Sequence, residues 1–217
     1  MLEEKSALAE QVLYNGSQCD QPSRNHEFLM QATNRFAFKE WAVICAALAA
    51  GRQSLILRKG GIHEGRAGFR VEHPEFWLFP TNFHQSMDDL APGYQELWET
   101  VGRQPPEIGH VSLRYYAVVD EVLEIGDEGL LARLEGLHGW SNRVVTERFR
   151  YKHDGLFGLL VRVFELPQPF DLPESPHFAG CRSWVDLPEE LPTAGLRPVL
   201  TDAEHERRWA RIRNALV

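Results

Sequence analysis

The sequence predicts an α+β fold built on a mixed or barrel-like β-sheet flanked by helices, and three stretches carry that reading. His110 to Ile125 alternates, with Val111, Leu113, Tyr115, Ala117 and Val119 on one side and Ser112, Arg114, Tyr116 and Asp120 on the other, which is the period of a long half-buried strand. Leu156 to Leu166 is almost continuously apolar, as a strand covered on both faces requires. Ala37 to Ala50 instead spaces Phe38, Trp41, Cys45 and Leu48 as one helical stripe with Trp41 as a core anchor, and Gly51 follows as its C′ residue. At 217 residues and 43% hydrophobic content, the chain can bury a sizeable core as one domain with appendages.

In order along the chain, Leu2 to Leu13 reads as a short helix, and the turn-rich NGSQCDQPSRN that follows has too few apolar residues to pack. Residues 1–34 are therefore expected to form an N-terminal helix and linker, an arm for a partner or for homo-oligomer formation. Residues 35–190 form the expected main domain and 191–217 a C-terminal helical extension. Within the main domain, Tyr94 to Val101 reads as a helix ended by Gly102 and the Pro105, Pro106 pair, and the leucines of 130–137 as another, terminated by Gly139 and Asn142. Val144 to Lys152 alternates, with Thr146, Arg148, Arg150 and Lys152 opposite Val145, Phe149 and Tyr151. This predicts a basic strand that turns through Asp154 and Gly155 to pair with Leu156 to Leu166. Pro167 to Pro176 is expected to cross the surface irregularly, and Cys181 to Leu187 to form a last strand stopped by Pro188. Thr201 and Glu204 form a capping box for the terminal helix.

Charge and cysteine usage narrow the function classes. A net charge of −8 argues against a protein coated in nucleic acid, yet Gly51 to Arg70 holds five basic residues against the single acid Glu64. Arginine outnumbers lysine nineteen to four, and guanidinium suits bidentate contact with phosphates and base edges, although a compositional bias towards arginine explains the same ratio. Cys19, Cys45 and Cys181 lack any paired spacing, so neither a zinc site nor a disulfide framework is indicated; no metal or cofactor is expected, and the cytoplasm is the default location. No run approaches a membrane span.

The densest polar chemistry lies in RQSLILRKGGIHEGRAGFRVEHPEFWLFPTNFHQ, residues 52–85. One apolar run delivers Arg58 and Lys59 onto Gly60 and Gly61, where backbone can approach a ligand closely, with His63 and Glu64 next. A second delivers Thr81, Asn82, His84 and Gln85. A nucleic-acid, nucleotide or modified-base binding module would use Arg58, Lys59, Gly60 and Gly61 for phosphate, Arg148 and Arg150 as further cations, and Trp77, Phe79 or Phe83 for stacking. A small hydrolase acting on a modified nucleoside would use Lys59 or His84 as base, Glu64 as acid or orienting group and Thr81 as hydroxyl partner. A structural or interaction protein needs none of these: the same charges then serve as solvated strand ends and salt-bridge partners, and His84 as a buried histidine bonded to backbone. His63, His73 and His84 match no familiar metal-ligand spacing. The acid-x-lysine tripeptide Glu3 to Lys5 lies in a predicted helix, which disfavours a nuclease that needs it on a strand.

FKEWAVICAAL, ILRKGGIHE, FWLFPTNFHQ, the strand ending VVDEV, and CRSWVDL together resemble the bacterial family catalogued as domain of unknown function 1802, over Phe36 to Leu187. The resemblance implies no established activity; an association with restriction and defence systems has been suggested for the family. The order helix, LRKGG strand, PT strand, VxEV strand, helix and hairpin is similar to the small PUA-like barrels, which include ASCH and EVE domains. That resemblance implies binding of RNA or modified bases, and in some ASCH members hydrolysis of modified nucleosides.

Overall fold

The computed structural model describes residues 30–59, 71–102, 109–180 and 182–216. Strand β1 (Thr33–Trp41) runs directly into helix α1 (Ala42–Ala49), so the stripe read as one helix from Ala37 is divided between two elements. In β1 the two-residue period wins: Ala37 and Phe38 are both buried, but in core regions on opposite faces of the sheet. Helix α1 is apolar on every side and lies within the core. Its first turn is held by Gln85, whose Oε1 accepts the Val43 N–H at 3.2 Å, and Gly51, at φ +62°, lets the chain leave it.

Strands β2 (Leu55–Arg58), β3 (Glu75–Thr81), β4 (His110–Ile125), β5 (Leu156–Pro173), β6 (Trp184–Pro192) and the two-residue β7 (Arg197–Pro198) complete the sheet. Its order is β2-β5-β4-β3-β1-β6, with β7 paired to β5. β1 is parallel to β3, and the other pairings among the described residues are antiparallel, so the predicted mixed sheet is present. Helices α2 (Gln95–Leu97), α3 (Asn142–Arg150) and α4 (Asp202–Leu216) accompany α1, giving an α+β fold. Phe38, Phe76 and Leu78 face the side covered by α1, α3 and Ile212 of α4. Trp77 and Phe79 face the other side, where Tyr116 and the far end of β5 fold over them and bring the Phe170 ring to 5.7 Å from Trp77. The curl has a further consequence: Arg58 at the end of β2 reaches Ser183, immediately before β6, and Glu40 of β1. Arg58 therefore bridges the ends of the first and last strands of the order at a side-chain seam, and the sheet is barrel-like.

Three expected elements differ. Val144 to Lys152 is not a basic strand: residues 142–150 form α3, because Ser141 caps its start by accepting the Val144 N–H and Arg143 pairs with Glu147 one turn on. Asp154 and Gly155 thus join a helix to β5, and Arg148 and Arg150 point to different sides. Pro167 to Pro176 is not wholly irregular, because β5 continues to Pro173; residues 166–169 sit in a bulge opposite Arg114, where Pro167 and Pro169 owe the ladder no N–H. β6 likewise passes Pro188 within a bulge opposite Arg35. The long strand β4 and the capping box of α4 are as expected, with Thr201 N donating to Glu204 Oε2 at 2.9 Å. The N-terminal arm, residues 1–29, lies outside the described residues. No described helix is long and apolar enough to cross a membrane.

Candidate functional site

The seam brings together groups that a core does not need. Glu40, the penultimate residue of β1, is 4% exposed. Its Oε1 accepts the Trp41 N–H at 2.9 Å, whereas Oε2 is buried and accepts no hydrogen bond. Arg58 Nη1 stands 3.7 Å from that oxygen. The Arg58 guanidinium also donates to the Ser183 hydroxyl and lies over the Phe38 ring, 4.6 Å from its centroid. Burial lowers its pKa from the ordinary arginine value and Glu40 opposes that shift. Alternation dictates the arrangement: Phe38 and Glu40 share one side of β1, and the end of the short strand β2 hands Arg58 across the seam to both. A buried carboxylate with one unused oxygen beside a cation is energetically costly unless something else satisfies it.

Arg148, from α3, completes the cluster. Its guanidinium lies 3.7 Å from the centroid of Trp140, and Trp140 in turn packs against Trp41 at 4.7 Å between centroids. Burial lowers the Arg148 pKa, with Glu40 opposing and Arg58 reinforcing that shift, so the three charges act on one another. Arg148 also lines an open depression of about 320 Å³ with Asp89, Arg143, Val144, Glu147 and Tyr151. Below Trp140 is the buried His138, whose Nδ1 accepts the Trp140 N–H at 3.2 Å and whose Nε2 has no partner. Burial pushes His138 down to about 4, and the Arg148 charge acts in the same direction. Gly139 between them is required by space, since a Cβ there would meet Ile44 and Tyr94 at 2.7 Å. Burial, followed by the Glu40 charge, also raises the Cys45 thiol well above its ordinary value.

The residues singled out by sequence separate into three groups. Arg58 lies against Glu40, and Arg148 is within electrostatic range of both. Lys59 serves the fold: its ammonium donates to the carbonyls of Phe149 and Gly155, both at 2.8 Å, and of His153, at the C-terminus of α3. An ammonium so held is a poor candidate for a general base. Thr81 Oγ1 accepts the Phe83 N–H at 3.2 Å, and His84, at φ +59°, is exposed beside Phe83 rather than buried. Arg150 forms a two-pronged pair with Glu128 on the surface. Trp77 is fully buried, its indole N–H bonded to the Asn34 carbonyl, and offers no face for stacking. Phe79 is also in the core, while Phe83 is 59% exposed. Gly60, Gly61, His63 and Glu64 lie outside the described residues. Glu40 and Trp140 were not singled out from the sequence. The available signal was Glu40 as the single acid in an otherwise largely apolar run from Phe36 to Ala50.

The model of the family described as Domain of unknown function (DUF1802) matches residues 37–211. The chain belongs to this family. No curated protein matches it. Among solved structures, the crystal structure of ASCH from Zymomonas mobilis is 14% identical, with 81% of this chain and 92% of that one covered, at a TM-score of 0.38. A serine-to-alanine variant of that protein is similar at 14% identity, covering 82% and 94% of the two chains, with the same TM-score. In this DUF1802 chain the site is defined by its own residues: Glu40, Arg58, Arg148 and Trp140.

Proposed function

We propose that this DUF1802 protein binds single-stranded nucleic acid or a nucleotide at the seam between β1, β2 and α3. The observation that carries the reading is the pair of half-buried arginines, Arg58 on Phe38 beside the buried Glu40 carboxylate and Arg148 on Trp140 within electrostatic range of it. Stacking on a ring fixes the plane of a guanidinium and leaves N–H groups at its edge free for phosphate or base. Phe38 and Trp140 are themselves buried, so these rings orient the guanidiniums and do not stack on a base. The depression next to Arg148, about 320 Å³, falls at the lower end of small-molecule sites. The net charge of −8 limits long-range attraction but not a local contact of this kind. Because Lys59 is occupied at α3, Arg148 is the cation assigned to phosphate, and Arg58 is placed to serve phosphate or base.

The test is titration of labelled short RNA and single-stranded DNA across a range of salt, read by anisotropy. Affinity is expected to fall with rising salt, and changing Arg58 and Arg148 together to Gln is expected to flatten the slope of log affinity against log salt by about 0.7–1.4, at roughly 0.7 per phosphate contact. Thermal stability of the variant is measured in parallel, because long basic side chains also cover apolar surface. Absence of salt-dependent binding to any nucleic acid or nucleotide refutes the proposal.

A further inference from the structure

Resting on that reading, we infer that Glu40 is the base-reading group of the site: its unused Oε2 accepts an N–H from the edge of a nucleobase while Arg58, beside it, donates to the neighbouring carbonyl or ring nitrogen. Phosphate contact explains the arginines, but it gives no reason for a buried carboxylate next to them, since an acid repels phosphate and weakens the cations it faces. A base edge does give a reason. Nucleobases present an N–H next to an acceptor atom, and a carboxylate beside a guanidinium is the complementary pair: one accepts only, the other donates only.

The geometry supports this division of labour. Glu40 Oε1 is committed to the Trp41 N–H, which fixes the carboxylate, and only Oε2 remains. Arg58 Nη1, at 3.7 Å, is too far to hydrogen-bond that oxygen but near enough to act on the same ligand edge. The Arg58 side chain is 23% exposed and Glu40 only 4%, so solvent reaches the arginine, and a ligand edge meets the carboxylate only by displacing what covers it. Trp41, whose backbone N–H holds the carboxylate, packs on the buried Trp140 ring at 4.7 Å between centroids, with Arg148 over Trp140. The ligand class is therefore a planar heterocycle with a free N–H beside an acceptor. Where the donor is a ring imino N–H, as in guanine or uracil, methylation removes it and adds bulk where the carboxylate is buried; in adenine or cytosine, methylation of the ring nitrogen removes the acceptor that Arg58 would meet, so in both cases the site favours the unmodified base.

The experiment uses the full chain and five short single-stranded oligonucleotides of equal length, four carrying one base type each and one base-free. At least one base-bearing strand is expected to bind about tenfold or more better than the base-free strand, the discrimination typical of a paired base contact. The same strand methylated at its Watson–Crick ring nitrogen is expected to lose that advantage, and this arm needs no protein variant. Glu40→Gln is expected to reduce the preference and to strengthen base-free binding, since it removes the acid that weakens the neighbouring cations. Equal binding of base-bearing and base-free strands, or full retention of affinity by the methylated strand, overturns the inference and leaves the phosphate-binding proposal standing. Failure of every strand to bind, base-free included, overturns both.

Discussion

Acidification should loosen the aromatic platform through His138. This imidazole is buried, spends Nδ1 on the Trp140 N–H and leaves Nε2 without a partner, so a second proton has nowhere favourable to go. Its pKa is pushed down from 6.5 to about 4. A histidine with a lowered folded value favours the fold while it is neutral: its contribution is complete above 6.5 and is lost as pH falls from there towards 4. At about 1.36 kcal/mol per pH unit, the gap is worth roughly 3 kcal/mol in full, of which about 2 kcal/mol is lost between pH 7 and pH 5. For a chain of this size that corresponds to roughly 4–8 °C in the thermal midpoint. Other groups titrate over the same range, so the informative comparison is with His138→Asn, whose side-chain oxygen can replace Nδ1 as acceptor for the Trp140 N–H. The variant is expected to be less stable at neutral pH because of the ring volume lost. The stability gap between wild type and variant, measured by urea unfolding, should narrow by about 2 kcal/mol on going from pH 7 to pH 5. A gap that stays constant with pH would show that His138 does not titrate as a buried neutral imidazole and would refute the reasoning.

The assignment of Lys59 to the fold predicts that Lys59→Met lowers stability to urea by roughly 1–3 kcal/mol, the cost of losing charged hydrogen bonds to part-buried carbonyls; unchanged stability with lost nucleic-acid affinity would return Lys59 to the binding site. Because burial and Glu40 hold the Cys45 thiol protonated, alkylation of Cys45 at about pH 8, mapped by mass spectrometry, should be at least tenfold slower in the native chain than in urea. Thr201→Ala should cost about 1 kcal/mol, since it removes the hydroxyl that accepts the Glu204 N–H at 3.3 Å; an unaffected unfolding midpoint would mean that the start of α4 is held by its packing alone.

Legibility followed the clarity of the period. β4 was readable because its alternation runs for sixteen residues, and the α4 cap because Thr201 and Glu204 have one reasonable meaning at that spacing. The two misread stretches satisfy both periods at once. In Phe38, Trp41, Cys45 and Leu48 the helical spacing is genuine only from Ala42 onwards, and the preceding residues take strand geometry because β3 and β6 pair with them on both sides. In α3, Thr146, Arg148 and Arg150 alternate by coincidence; the helical signals were Ser141 as cap and the Arg143, Glu147 pair. The prolines of β5 and β6 misled for a different reason, since bulges remove the requirement for an N–H at those positions and a bulge leaves no mark in the hydrophobic pattern.

The site was half legible for the same reason. Arg58 was found because it ends an apolar run, and Arg148 because it belongs to a basic cluster, but the reading that singled out Arg148 as part of a strand would have set it beside Arg150 and away from Trp140. Helical geometry instead turns Arg150 outwards to Glu128 and Arg148 inwards over Trp140, so one change of period separates a surface salt bridge from a seam cation. Glu40 depends on closure of the sheet: on the strand order, β1 and β2 are far apart, and only the curl that brings the ends together places a carboxylate next to Arg58. A seam without a backbone ladder leaves side chains to bridge the strands, and polar side chains there remain partly unsatisfied unless a ligand completes them. Closure of the fold and formation of the site are, on this reasoning, the same event, which is why Arg58 is both the contact that ties β2 to β6 through Ser183 and the cation that faces Glu40.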